Sequence, residues 1–275
     1  MNPAAQDYHC YRHPDREAYI ACQRCERMIC PDCMRDASVG FHCPSCVSEG
    51  AKSVRTPRTM AGGAISAYDR LVSKILIGLN VVAYIAQLAT EDKAGSVFQR
   101  GAMQSYAVAD GDYWRLLTAA FLHASLLHIA FNMYALYLFG PFAEKALGTV
   151  RFIAAYVTAA IASSVFVYWL EKPEVATIGA SGAVFGLFGL VLVLLLKAKQ
   201  DVRTLLVLLA INAVISLQGN ISWQGHLGGF VAGCLLGAAF AYAPRDRRRA
   251  VQVAVFAVLW VAMVVAVVIR TGQLN

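Results

Sequence analysis

From Leu71 onward the chain is a succession of apolar runs divided by short polar connections, and no other feature limits its fold as strongly. A helix needs about 20 residues, most of them apolar, to cross the hydrocarbon of a bilayer. Seven runs approach that length, at 71–90, 115–139, 150–170, 180–197, 203–218, 223–242 and 250–269. The fifth, which carries Asn212 and Ser216, is the shortest. The expected fold class is therefore an all-α polytopic membrane protein. Composition agrees, because 58% hydrophobic against 15% charged residues is too apolar for an ordinary soluble domain.

The net charge of +7 raises the question of nucleic acid, but residues 1–60 are nearly balanced in charge and show no aromatic-basic interleaving. No nucleic-acid partner is expected. The excess sits between the apolar runs instead. One set of alternate connections holds Lys145 and Arg151, then Lys197, Lys199 and Arg203, then Arg245, Arg247, Arg248 and Arg249. The positive-inside tendency makes that set cytoplasmic. The N-terminus is then expected inside, and the C-terminus, after an odd number of spans, outside, most simply in the cell membrane. No apolar signal segment is expected ahead of the first run.

Seven of the 8 cysteines lie before residue 50. They form Cys10-x2-His13, Cys22-x2-Cys25, Cys30-x2-Cys33 and Cys43-x2-Cys46, four pairs at the spacing that lets two side chains reach one tetrahedral ion. A disulfide scaffold is the competing reading, but a histidine cannot enter one. Eight ligands suffice for two structural zinc ions, and thiolate ligands suit a reducing, cytoplasmic compartment. The spacing leaves the pairing of ligands open. The chain thus divides into a zinc-binding head at 1–49, a linker at 50–69 rich in turn formers and basic residues, a membrane core at 70–243, and a basic loop with a seventh helix at 244–275.

In the fourth run, Ile178-Gly179-Ala180-Ser181-Gly182-Ala183-Val184-Phe185-Gly186 places a hydroxyl among glycines. Small residues there serve close helix packing in any case. The sixth run, however, repeats glycine at 225, 229, 233 and 237 and adds a titratable His226 beside that stripe. An ionisable residue within a span is costly and marks function. On the expected topology Ser181 and His226 lie at similar shallow depth near the outer surface. A histidine within reach of a serine can take its proton during attack on a carbonyl. In the second run His128 and Asn132 stand four apart on one helix face and supply donors for a developing oxyanion. A further donor is the backbone N–H of Ser181 at a helix start. His123 is read as structural.

Gly179-Ala180-Ser181-Gly182, Gly225-His226-Leu227-Gly228-Gly229, the His128/Asn132 pair and Trp114-Arg115 together resemble the rhomboid intramembrane serine proteases, over roughly residues 70–243. The resemblance implies a rhomboid-like six-helix bundle with a C-terminal seventh helix added. It implies Ser181 as nucleophile, His226 as base, and His128, Asn132 and the Ser181 N–H as the oxyanion hole. It further implies that Phe185 packs on His226, that Gly179 and Gly182 support the nucleophile, and that Trp114 and Arg115 close a membrane-embedded first outer loop at 91–113. The head resembles B-box and RING-like modules, whose cross-brace would pair Cys10/His13 with Cys30/Cys33 and Cys22/Cys25 with Cys43/Cys46.

The function expected is hydrolysis of peptide bonds in or next to transmembrane helices of membrane-protein substrates, in the lipid bilayer and without a catalytic metal. The alternative is a non-proteolytic adaptor that binds transmembrane helices while the zinc head recruits a cytoplasmic partner. A transporter would need polar groups at mid-bilayer or matched broken helices, and the candidate residues lie towards one side.

Overall fold

A computed structural model describes residues 8–53, 58–64, 71–216 and 221–275. The chain separates into two compact units, Met1–Pro57 and Arg58–Asn275.

The first unit consists of three antiparallel hairpins, β1 (His9–Cys10) with β2 (His13–Glu17), β3 (Ile20–Ala21) with β4 (Met28–Ile29), and β5 (Arg35–Asp36) with β6 (Phe41–His42), followed by α1 (Pro44–Ser53). Its buried core is Ala18, Ile29 and the six cysteines Cys10, Cys22, Cys30, Cys33, Cys43 and Cys46. A core with so little aliphatic surface does not hold a domain of this size by apolar burial alone.

The second unit is helical. Its elements are α2 (Leu71–Ala89), the short α3 (Ser96–Gly101), α4 (Ser105–Ala109) and α5 (Arg115–Thr118), then α6 (Leu126–Leu147), α7 (Thr149–Leu170), α8 (Ser181–Lys197), α9 (Arg203–Ser216), α10 (Trp223–Tyr242) and α11 (Arg248–Leu274). Among the described residues, five helices are long and apolar enough to cross a membrane, namely α2, α6, α7, α10 and α11, while α8 and α9 are apolar but shorter. The protein is an integral, multi-pass membrane protein. With 17 residues α8 rises about 26 Å, a few ångströms less than a hydrocarbon core of about 30 Å.

Helix α8 is the centre of the bundle, buried along most of its length. Glycines set how closely its neighbours approach. A methyl group on Gly229 or Gly233 of α10 would strike the carbonyl oxygen of Gly182 or Gly186 on α8. From the α7 side, Ser163 and Ala159 fill the space beside Gly182 and Gly186. Helix α11 lies against α7 and α10, with Trp260 Nε1 donating to Thr158 Oγ1 at 3.1 Å and Trp169 Nε1 donating to the Ala266 carbonyl at 3.0 Å.

Two expectations need correction. The second run, expected as one helix over 115–139, is broken: α5 passes into a 3-10 turn at Ala119–Phe121, and α6 begins only at Leu126 and continues to Leu147. Ser125 starts it, its hydroxyl accepting the His128 N–H at 3.2 Å as an N-cap does. A hydropathy window cannot see a cap placed inside an apolar run. The segment expected as a linker is also ordered in part. Residues 50–53 extend α1, and residues 58–64 form a turn held on the helical unit by Ala61 N–H to the Ala146 carbonyl (3.1 Å) and by Gln252 Nε2 to the Ala61 carbonyl (3.0 Å). The remainder of that segment, 54–57 and 65–69, lies outside the described residues, as do residue 70 of the expected core, 1–7 of the head and 217–220 in the connection after α9.

Candidate active site

Ser181 is the first residue of α8, so its N–H has no partner within the helix. The preceding residues run in from an extended segment tied to the outer loop by a Met103–Thr177 bridge, and Gly179 adopts a φ of +134°, which side chains rarely tolerate. Gly179 also leaves room that any side chain would take. A methyl there would lie 2.7 Å from His128 Cε1 and 2.9 Å from His128 Nε2.

His226 lies one turn into α10, behind the N-cap Ser222. Its Nε2 is 2.9 Å from Ser181 Oγ. The ring is held in place: Phe185, one turn along α8 from Ser181, stacks on one face of it with centroids 4.0 Å apart and planes inclined by 8°. Its other nitrogen, Nδ1, is 2.8 Å from the hydroxyl of Ser216 at the end of α9. The residue is 8% exposed and Ser216 is 4% exposed, so water does not compete freely for either bond.

His128 sits in the first turn of α6. Its Nδ1 accepts the Ala124 N–H at 3.4 Å, which leaves Nε2, the nitrogen facing Gly179, to carry the proton of a neutral ring. Asn132, one turn further, is buried, and its Nδ2 has no hydrogen-bond partner among the described residues. A buried amide donor without an acceptor is costly in a resting fold. Such a donor is available to an acceptor that arrives with a ligand.

Trp114 and Arg115 stand apart from this cluster. Trp114 Nε1 donates to the Arg100 carbonyl at 3.0 Å, and the buried Arg115 pairs with Asp112 at 2.8 Å while donating to the Ala102 carbonyl at 2.9 Å. They hold the outer loop in shape. His123 is fully buried, edge-on to His128 with ring centroids 5.1 Å apart, and its backbone is clasped by the Gln87 side chain. Ser216 and Glu144 escaped sequence reasoning. Ser216 carried no signal beyond a hydroxyl in an apolar run. Glu144 fell beyond the expected end of the second run, although an acid at the end of an apolar stretch was a visible cue.

In the head, two groups bring their ligand atoms within 4.8 Å of one another: Cys10, His13, Cys30 and Cys33, and Cys22, Cys25, Cys43 and Cys46. A tetrahedral zinc with Zn–S bonds of about 2.3 Å sets neighbouring sulfurs about 3.8 Å apart. His13 Nδ1 lies 3.8, 3.4 and 3.5 Å from the sulfurs of Cys10, Cys30 and Cys33, and Cys25 and Cys43 are 3.7 Å apart. The residues therefore fit a tetrahedral ion. Burial resists ionisation of Cys10 and Cys22, yet backbone hydrogen bonds around each outweigh it and pull the thiols down to about 6. Burial, reinforced by hydrogen bonds from neighbouring sulfurs, pushes Cys33 up to about 11 and Cys46 to about 12. Arg27 adds positive donors to the second group, Nε reaching Cys25 Sγ at 3.3 Å and Nη2 reaching Cys43 Sγ at 3.8 Å.

A helical membrane bundle enclosing a hydrogen-bonded serine and histidine, with an unpartnered amide donor on Asn132 nearby, defines the class of molecule. The Rhomboid domain pattern matches residues 110–243. The chain is 36% identical over 135 residues to the putative rhomboid protease YdcA of Bacillus subtilis, an alignment covering 47% of this chain and 68% of that protein. It is 37% identical over 145 residues to the rhomboid protease GluP of the same organism, covering 50% of this chain and 28% of GluP, and 24% identical over 229 residues to the rhomboid protease AarA of Providencia stuartii, covering 71% and 80%. The chain belongs to the rhomboid family.

Proposed function

We propose that this chain is an intramembrane serine protease that hydrolyses peptide bonds in or next to the transmembrane helices of membrane-protein substrates. The observation that carries the reading is the 2.9 Å separation of His226 Nε2 and Ser181 Oγ inside an apolar bundle. His226 takes the Ser181 proton as the oxygen attacks the scissile carbonyl, and then returns it to the leaving amine. A water enters, loses its proton to His226, and releases the acyl group. The carbonyl oxygen, negative in the tetrahedral intermediate, is held by His128 Nε2–H, Asn132 Nδ2–H and the Ser181 N–H. Such donors are worth about 3–4 kcal/mol each in the transition state.

A helical substrate hides its carbonyls in backbone hydrogen bonds, so the segment to be cut has to unwind first. Substrates with glycine, proline or other weak helix formers near the outer boundary are favoured. The short α8 is compatible with a shallow Ser181 that water reaches from outside. The head holds two structural zinc ions on the cytoplasmic side, with the C-terminus outside.

The test is cleavage of a tagged single-pass substrate by purified protein in liposomes, together with labelling by a fluorophosphonate probe. Cleavage and labelling are expected, and both are lost in Ser181→Ala. Full cleavage by Ser181→Ala overturns the nucleophile assignment. Intact substrate together with an unlabelled Ser181 leaves an adaptor that binds transmembrane helices.

A further inference from the structure

Ser216 gives His226 a third partner, and the geometry points to Ser216 as the positioning residue that fixes which nitrogen of His226 carries the proton. The inference rests on Ser181 and His226 acting as proposed above. Its basis is a chain of three heavy-atom separations: Ser181 Oγ to His226 Nε2 at 2.9 Å, His226 Nδ1 to Ser216 Oγ at 2.8 Å, and Ser216 Oγ to the Asn212 carbonyl at 2.7 Å.

A hydroxyl has one proton to give. Ser216 spends it on the Asn212 carbonyl, one turn back in its own helix, which can only accept. The Ser216 oxygen is then free to accept, and Nδ1–H of His226 is the donor that faces it. A neutral imidazole protonated on Nδ1 presents a lone pair on Nε2, and that lone pair faces the Ser181 hydroxyl. Every proton along the chain finds an acceptor in this arrangement. If Ser216 instead donated to Nδ1, Nε2 would carry the proton, and His226 could not act as base towards Ser181. In triads of the Ser-His-Asp kind the tautomer is held by an acid; here the anchoring atom is a hydroxyl oxygen oriented by a helix carbonyl. A neutral acceptor also stabilises the imidazolium formed during attack, though less than a carboxylate would.

Placement strengthens the case. Among the residues of α9, only Leu205 and Ser216 are buried, whereas Leu206, Val207, Ile211, Val214 and Ile215 are exposed on the apolar surface. Ser216 at its end is the point at which the helix meets the catalytic pair. The position of α9 and the protonation pattern of His226 are thereby linked.

The experiment compares Ser216→Ala and Ser216→Thr with the unaltered chain and with Ser181→Ala, all in liposomes with the tagged single-pass substrate. Ser216→Ala is expected to lower kcat about tenfold, the order of one hydrogen bond, with KM within about twofold and a melting temperature lowered by only a few degrees. It also slows fluorophosphonate labelling of Ser181 by a similar factor. Ser216→Thr keeps the hydroxyl and restores kcat to within about threefold. An unchanged kcat in Ser216→Ala, or a Thr variant as slow as the Ala one, overturns the positioning role while an inactive Ser181→Ala leaves the protease reading standing. Activity retained in Ser181→Ala overturns both.

Discussion

The ring of Phe185 lies flat on the imidazole of His226, centroids 4.0 Å apart and planes 8° from parallel. The two side chains come from different helices, so the contact fixes the ring plane of His226 relative to Ser181, which shares α8 with Phe185. Stacked aromatic pairs contribute about 0.5–1.5 kcal/mol beyond their burial. Phe185→Ala is expected to lower kcat by about tenfold, with Phe185→Tyr nearly as active as the unaltered chain, in the liposome cleavage assay. Equal rates for the Ala and unaltered chains would mean that Ser181 and Ser216 hold the ring without it.

Asn132 separates catalytic from structural roles, because its Nδ2 has no hydrogen-bond partner among the described residues. Deleting a donor that has no partner removes no native bond. Asn132→Ala is therefore expected to leave the melting temperature unchanged or slightly raised while reducing kcat by about 10² to 10³. A variant that melts early but turns over normally would reassign Asn132 to the packing of α6.

How far the sequence reaches can be judged from single residues. Ser181 and His226 stood out because glycines on both flanks left a hydroxyl and an imidazole uncovered, and charge asymmetry put both at one depth. The four Cys/His pairs were legible from spacing alone. The start of α6 was not, since residues 115–125 are as apolar as the helix that follows, and only the Ser125 cap divides them. Ser216 was equally opaque: its value arises from where α9 ends relative to α10, a distance that no local pattern encodes. The turn at 58–64 read as linker because its anchor, Gln252, lies far along the chain in α11.

Glu144 shows what a long-range contact of this kind contributes. From the last turn of α6 its carboxylate accepts the N–H groups of Val72 and Ser73, each at 3.0 Å, and the Ser73 hydroxyl at 2.9 Å. It caps α2 from a neighbouring helix and meets the positive end of that helix dipole. Glu144→Gln keeps the shape but loses the charge and one of the two acceptor oxygens, and about 2 kcal/mol of stability is expected to go with them. The readout is the thermal inactivation temperature in detergent. A Gln variant as stable as the unaltered chain would show that the neutral amide oxygen suffices.

The head is expected to depend on a metal in a way the membrane unit does not. Its buried core is mostly ligand cysteines, so taking the ions away leaves thiols and too little aliphatic surface to hold three short hairpins. Elemental analysis is expected to find about two zinc ions per chain, with Cys22→Ser/Cys43→Ser lowering this to about one or less. Zinc has to displace the protons that Cys33 and Cys46, pushed up to about 11 and about 12, keep at neutral pH. Binding therefore releases protons, and apparent affinity rises with pH. A strong chelator should open residues 8–53 to proteolysis while the helical unit stays protected, because α8 and its neighbours pack through glycines and apolar side chains that owe nothing to a metal. A metal-free head that resists protease as well as the loaded one would remove zinc from the folding of this unit.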